Sequence, residues 1–245
     1  MSDIVTKKNK MLAKVNFPGS KNGSGIYQNI INLFPKHNIY IEPFLGSGSI
    51  LKRKLAAGIN IGLDINSSFI DKFDSVPGFF FSPGDSLIFL DAAASLINAL
   101  HDHGSKILIY CDPPYPIETR RSGSKLYKYE FSQDHHKLFL DAVLKLNCYV
   151  MISCYENDLY NLALSGWNKL DMHTVTRHSK ATERIYFNYL NSLPKHQYDF
   201  IGNNFRERAA KKGRVYRNVS KILKMPADEQ TLLMDLLSKK ILIVS

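Results

Sequence analysis

Four times within its first 115 residues this chain runs a short apolar stretch into an acid, a rhythm that constrains the fold more than any single motif. The stretches are Asn38-Ile39-Tyr40-Ile41 before Glu42, Asn60-Ile61-Gly62-Leu63 before Asp64, Phe79-Phe80-Phe81 shortly before Asp85, and Ile107-Leu108-Ile109-Tyr110-Cys111 before Asp112. Each is short, rich in β-branched or aromatic residues and bounded by turn formers, as buried strands are. Helical patterns lie between them, through Leu51, Leu55 and Ala56, through Phe69 and Phe73, and over Leu87–Leu100. Strands alternating with helices predict a mostly parallel sheet, whose carboxyl edge collects whatever ends each strand. One edge should therefore carry four carboxylates.

The fourth strand is the most informative. It stops in Asp112-Pro113-Pro114-Tyr115, where two prolines without amide hydrogens prevent its continuation. The loop offers an acceptor-only carboxylate, a carbonyl free of ladder bonds and an amphipathic aromatic ring. Together these suit a planar ring bearing an amino group. The first strand leads into Glu42-Pro43-Phe44-Leu45-Gly46-Ser47-Gly48-Ser49, a strand, glycine turn and helix start. Asp64 follows about twenty residues later, where an acid can bind a ribose diol. The third glycine of the dinucleotide fingerprint is missing, which argues against a dinucleotide. Upstream, Phe17-Pro18-Gly19-Ser20-Lys21-Asn22-Gly23-Ser24-Gly25 precedes a helix pattern of Ile26, Ile30, Ile31 and Phe34. It lacks the spacing and ending of a Walker A loop, although Lys21 can hold an anion.

Beyond Tyr115 a polar loop, Pro116–Glu130, interleaves Arg120, Arg121, Lys125 and Lys128 with Tyr127, a pattern suited to phosphates and bases. A helix is expected from about Ser132, with Leu138, Phe139, Ala142, Val143 and Leu146 on one face. His135 and His136 fall at its start and receive no catalytic part. The strand Tyr149–Ser153 and a short helix follow. A hairpin then pairs Leu170–Val175 with Ile185–Leu190 and carries Arg177, Lys180 and Arg184 at a basic tip. After Pro194 the composition shifts. Arg206, Arg208, Lys211, Lys212, Arg214 and Arg217 crowd a segment with Glu207 as the nearby acid, and an amphipathic helix follows through Leu232, Leu233, Leu236 and Leu237. The expected division is a main domain over 1–194 and a basic helical appendage over 195–245, a docking element for a phosphate backbone.

The net charge of +10 exceeds what neutral small substrates need and suits a polyanionic partner. No apolar run approaches the ~18 residues of a membrane span, and Met1–Lys8 lacks the apolar core of a signal peptide, so a cytoplasmic protein with no membrane partner is expected. Cys111, Cys148 and Cys154 sit in or beside apolar runs without metal-ligand spacing, and read as reduced core residues with no metal.

With these motifs in this order, the chain resembles the Dam-like class of S-adenosylmethionine-dependent DNA adenine N6-methyltransferases over roughly residues 15–190. The residues that carry the resemblance are Phe17-Pro18-Gly19-Ser20-Lys21, Tyr40 through Gly48, Asp64-Ile65-Asn66, Gly84-Asp85 and Asp112-Pro113-Pro114-Tyr115. The resemblance implies a Rossmann-like α/β methyltransferase fold of class I, with a mostly parallel seven-stranded sheet and a C-terminal antiparallel hairpin. It implies that Phe17, Gly19 and Lys21 close over S-adenosylmethionine, while Glu42, Pro43, Phe44, Gly46 and Gly48 line its methionine side. Asp64 would take the ribose hydroxyls with Ile65 beside the adenine, and Asp85 and Ser86 would meet the adenine edge. Asp112 would be shared between cofactor and target. Asp112, Pro113, Pro114 and Tyr115 would hold a flipped adenine of double-stranded DNA, with Tyr115 stacked on it.

One departure stands out. Members of the class usually carry a target-recognition insert between the third acidic motif and the catalytic one, whereas little more than a helix and a strand separates Asp85 from Asp112. Either the basic loop, hairpin tip and tail read the sequence, or methylation is relaxed. The tail is similar to those of phage-borne members, which favours relaxed methylation. The alternatives are an RNA adenine or cytosine N4 methyltransferase, or a nucleic-acid-binding protein on an inactive methyltransferase fold.

Overall fold

The computed structural model describes residues 21, 25–73, 75–120, 128–175 and 180–244. Phe17, Gly19, Arg121, Lys125 and Arg177 lie outside the described residues, as does the side chain of Lys180. The chain divides into two compact units, Met1–Tyr198 and Asp199–Ser245.

The first unit opens with helix α1 (Ile26–Leu33), which buries Ile30, Ile31 and Leu33. Strand β1 (Ile39–Glu42), helix α2 (Ser49–Arg53), strand β2 (Ile59–Asp64) and helix α3 (Ser67–Ile70) follow. Next come β3 (Phe79–Pro83), α4 (Ser86–Asp102) and β4 (Ile107–Cys111). The unit continues through α5 (Gln133–Leu144), β5 (Tyr149–Tyr155), α6 (Asp158–Ala163), β6 (Asn168–Val175) and β7 (Lys180–Phe187).

The seven strands form one sheet in the order β3-β2-β1-β4-β5-β7-β6. The pairs β1–β2, β1–β4, β2–β3 and β4–β5 are parallel, while β5–β7 and β6–β7 are antiparallel. This is the mostly parallel seven-stranded sheet with a C-terminal antiparallel hairpin that the sequence led us to expect. The chain winds outward from β1 to β3 and then returns to β4, so the crevice between the carboxyl ends of β1 and β4 is the topological switch point. β4 is buried along its whole length, which accounts for its unbroken apolar sequence.

Several boundaries differ from the sequence pattern. α2 stops at Arg53 rather than reaching Leu55 and Ala56. Lys54 turns extended and is buried, its ammonium donating to the Leu55 carbonyl and to Asn60 Oδ1 and lying over the Tyr40 ring. Satisfying a buried cation outweighs another helical turn. α3 is a single turn that ends before Phe73, whose ring stacks on Phe81 at 4.5 Å. β7 begins at Lys180, so residues expected in a loop tip belong to the sheet, and it ends at Phe187 rather than Leu190. Residues 195–198 belong to the first unit: the His196 amide donates to the Phe34 carbonyl, and the His196 ring stacks on His37. Cys111, Cys148 and Cys154 are buried free thiols.

The second unit holds α7 (Phe205–Ile222) and α8 (Ala227–Val244). Asn204 caps α7 by accepting from the Glu207 amide, and Glu207 pairs with Lys211 at 2.5 Å. Arg206, Arg208, Lys211, Lys212, Arg214 and Arg217 all fall on this one helix, as the composition led us to expect. No described helix is long and apolar enough to cross a membrane.

Candidate active site

A cavity of about 300 Å³ lies at the carboxyl edge of the sheet, and all four strand-end acids, Glu42, Asp64, Asp85 and Asp112, line it. On the β1–β3 side each acid is fixed by partners no more than 18 residues away in sequence. Glu42 is buried and accepts from the Tyr40 hydroxyl at 2.8 Å and the Leu51 amide at 3.1 Å. Burial pushes its carboxyl up to about 8 against those two bonds, with the negative charge of Asp112 adding to the rise. Asp64 accepts the Gly46 amide on one oxygen at 2.7 Å and the Asn66 amide on the other at 2.8 Å. Burial raises its pKa, opposed by those amides. Each Asp64 oxygen keeps acceptor capacity for a hydroxyl. Asp85 caps α4, its Oδ1 accepting from the Leu87 amide at 2.7 Å, and the Ser86 hydroxyl donates to the Pro43 carbonyl.

The glycines between β1 and α2 are required by their backbone. Gly46 and Gly48 have φ of +48° and +62°, values that side chains disfavour. A Cβ on Gly48 would come within 2.6 Å of the Phe73 ring, whereas one on Gly46 would meet nothing within 4 Å. Gly46 thus lets the turn pass close to the cavity and gives its amide to Asp64. Pro43, Phe44 and Ile65 supply apolar wall.

On the β4 side the links run between distant parts of the chain. The Lys21 ammonium lies 2.7 Å from Asp112 Oδ1 and 2.8 Å from Glu183 Oε1, and donates to the Tyr115 hydroxyl at 2.6 Å. The Tyr115 hydroxyl donates in turn to Glu183 Oε1. Ser153 donates to Asp112 Oδ1 at 3.0 Å, and the Tyr110 hydroxyl stands 2.8 Å from the Ser153 hydroxyl. Lys21 and Ser153 therefore both load Oδ1, and Oδ2 of Asp112 accepts no hydrogen bond among the described residues. Burial raises the Asp112 pKa and Lys21 opposes the rise, while Glu183 reinforces it. Burial pulls the Lys21 ammonium down, but Asp112 and then Glu183 outweigh that and hold it above its ordinary range.

Lys21 lines the cavity, but it is only 4% exposed and is held by protein carboxylates. Tyr115 is also buried, its ring edge-on to Tyr155, so stacking on a base would require the ring to be uncovered. Pro114 lines the cavity and Pro113 is buried beside it. Among the residues expected to meet phosphate, Lys128 stands at the cavity next to the half-exposed Tyr129. Arg120 does not stand free for that purpose. It is buried, pairs with Glu130 at 2.6 Å and donates to the Tyr115 carbonyl, which clamps the turn after the prolines. Arg184 grips both Asp171 oxygens across the hairpin at 2.6 and 2.7 Å and bonds Glu156.

Glu183 and Ser153 were missed from sequence. The signal for Glu183 was its register: alternate residues of a strand share a face, and Glu183 precedes the buried Ile185 and Phe187 by two and four positions. An acid in phase with buried apolar residues needs a partner inside.

No family model matches the chain, and no curated protein does. Among solved structures it is similar in fold to magnesium protoporphyrin IX methyltransferase from Synechocystis, with 14% identity over 77% of this chain and 91% of that one and a TM-score of 0.42. An O-methyltransferase from Bacillus cereus is similar at 11% identity, covering 77% and 90% with a TM-score of 0.40. An rRNA methylase from Streptococcus thermophilus is similar at 9% identity, covering 66% and 93% with a TM-score of 0.37. Likenesses at this level do not bear on activity.

Proposed function

We propose that this protein is an S-adenosylmethionine-dependent methyltransferase that modifies the exocyclic amine of adenine in DNA. The observation that carries the reading is Asp112: it stands at the tip of β4, in one cavity with Glu42, Asp64 and Asp85, with Lys21 and Ser153 confined to Oδ1 and Oδ2 left to accept.

The residues fit that cofactor. The cavity volume is at the lower end of the range for small-molecule sites. Its charged lining is mostly carboxylates, which match hydroxyls, amines and a cationic sulfonium, and Gly46 lets the backbone pass close to the space where a ligand would lie. Asp64 would hold the ribose hydroxyls, Ile65 and Asp85 the adenine, and Glu42 would face the cationic end. When bound, S-adenosylmethionine supplies an electrophilic methyl group.

A base inside a duplex cannot reach this cavity, so the target adenine would be flipped at a cost of a few kcal/mol. Pro114 and Tyr129 offer it a wall, and the Tyr115 hydroxyl serves the network beneath. Asp112 Oδ2 and the Pro113 carbonyl would accept the two amine hydrogens. That draws the nitrogen toward the pyramidal geometry in which its lone pair is available, and holding it in line supplies much of the rate. The chemistry needs no covalent enzyme intermediate. Lys128 at the cavity and the cations of α7 are the proposed phosphate contacts.

The test is methyl transfer from labelled S-adenosylmethionine to unmethylated DNA and to matched RNA, with nucleoside analysis. N6-methyladenine in DNA is expected, scattered across contexts because the chain lacks the usual insert. Methyladenine confined to RNA would overturn the DNA assignment, and no methylated base would overturn the enzyme reading. Truncation after Tyr198 should weaken DNA binding and flatten its salt dependence, and an unchanged slope would remove α7 from the phosphates.

A further inference from the structure

Resting on that reading, we infer that Glu183 is a positioning residue of the methyl-transfer site: it shares the Lys21 ammonium with Asp112 and anchors Tyr115, which keeps Lys21 on Oδ1 and leaves Oδ2 to the amine.

The geometry is specific. Glu183 reaches the site from the antiparallel hairpin, a part of the chain that supplies none of the strand-end acids, and it is 6% exposed. Its Oε1 takes both the Lys21 ammonium and the Tyr115 hydroxyl, so it acts as an acceptor for two donors at once. Lys21 is thereby held between two carboxylates and the Tyr115 oxygen, which uses its three hydrogens. With no donor to spare, it cannot follow the amine onto Oδ2.

The charge count gives this arrangement a purpose. During transfer, positive charge passes from the sulfonium to the attacking nitrogen. A lone Lys21–Asp112 pair would be neutral and would offer that charge little. One ammonium between two carboxylates keeps a net negative charge beside the nitrogen, inside a buried site where such a charge acts strongly. As the N–C bond formed, the sulfonium C–S bond would break to leave a neutral thioether, and the nitrogen would then pass one proton to solvent water to restore a neutral secondary amine.

The groups that face Asp112 are Lys21, Glu183 on β7, Glu42 on β1, Tyr110 through Ser153, Tyr115, and the thiols of Cys111 and Cys154, both pushed up by burial. Of these, Lys21 lowers the Asp112 titration and Glu183 raises it. Removing each should therefore move Asp112 in opposite directions, which a general loosening of the fold would not do.

The experiment follows the Asp112 carboxyl carbon by NMR during a pH titration of the cofactor-free full chain, in wild type, Glu183→Gln, Glu183→Asp and Lys21→Met. The Asp112 titration should move to lower pH in Glu183→Gln and to higher pH in Lys21→Met. In parallel, kcat in Glu183→Gln should fall about 10–100-fold while cofactor affinity changes little, with its acid limb displaced to lower pH. Glu183→Asp should recover part of the loss. An Asp112 titration unmoved in Glu183→Gln, or moved the same way in both variants, overturns the inference. Opposite shifts with a wild-type chain that methylates nothing would instead overturn the reading of function and leave the network standing.

Discussion

The two walls of the cavity are built by opposite means. On the β1–β3 side the partners lie closer in sequence: Glu42 leans on Tyr40 and Leu51, Asp64 on Asn66 and on Gly46 18 residues away, Asp85 on Leu87. On the β4 side, Lys21 and Asp112 are 91 residues apart, Tyr115 and Glu183 68, and Ser153 and Asp112 41. The first wall is three local motifs standing side by side, mostly carboxylates bonded to backbone amides. The second is one network of side chains whose members depend on each other. A local wall suits binding, because each piece is preformed. A network suits chemistry, because it can place charge at one atom.

The largest effect expected from this difference is at Asp112. Asp112→Ala should lower turnover by about 10³-fold or more, since it removes the acceptor for the amine, while DNA and cofactor affinities change by a few-fold only. Single-turnover methylation beside equilibrium binding measures both. A loss of cofactor binding as great as the loss of rate would break the division between the walls.

Asp64→Ala should do the converse. It removes the acceptor that organises the Gly46 turn and is proposed to take the ribose hydroxyls, so cofactor affinity should fall about 10–100-fold with turnover at saturation nearly kept. Calorimetric titration with S-adenosylmethionine checks it.

The same contrast explains what could be read from sequence. Acids at strand ends, the turn at Gly46 and Gly48, and the proline stop after Asp112 are each local patterns, and the parallel pairing of β1 to β5 follows from the alternation of strands with helices. The partners of Asp112 are not local. Nothing near Lys21 names Glu183, and Arg120 looked like a phosphate contact because its partner Glu130 was counted as part of the same polar loop. Likewise Arg184 meets Asp171 only once the hairpin is in register. Of the charges expected at the surface, Arg120 is buried against Glu130, and Arg184 is held by Asp171 and Glu156.

Glu42 sharpens the comparison through pH. Its folded-state carboxyl is raised from 4.5 to about 8, so between those values the unfolded chain gives up a proton that the folded chain keeps. Stability contributed at this position is therefore lost as pH rises through that window. Glu42→Gln keeps an acceptor for Tyr40 and Leu51 without the ionisation. It should be more stable than wild type toward the upper end of the window, by roughly 1–3 kcal/mol, and equal to it at the lower end. Urea denaturation across the window measures this. A bound cation would hold Glu42 ionised, so wild-type cofactor affinity should rise with pH through the same range and that of Glu42→Gln should not.

The smallest effect is expected at Ser153, which tests how far the β4 network extends. Its hydroxyl stabilises the ionised form of Asp112 and accepts from the buried Tyr110. Ser153→Ala should move the acid limb of turnover to higher pH and lower the rate at neutral pH about three- to ten-fold, with stability reduced by roughly 1–3 kcal/mol for the Tyr110 hydroxyl left unpaired. The direction matters more than the size. Ser153 and Lys21 both lower the Asp112 titration, so their removal must shift it the same way, whereas Glu183→Gln must shift it the other way. A Ser153→Ala profile displaced to lower pH would mean that Oδ1 is not where the hydroxyl acts, and that the β4 wall, like its counterpart, is a set of independent contacts.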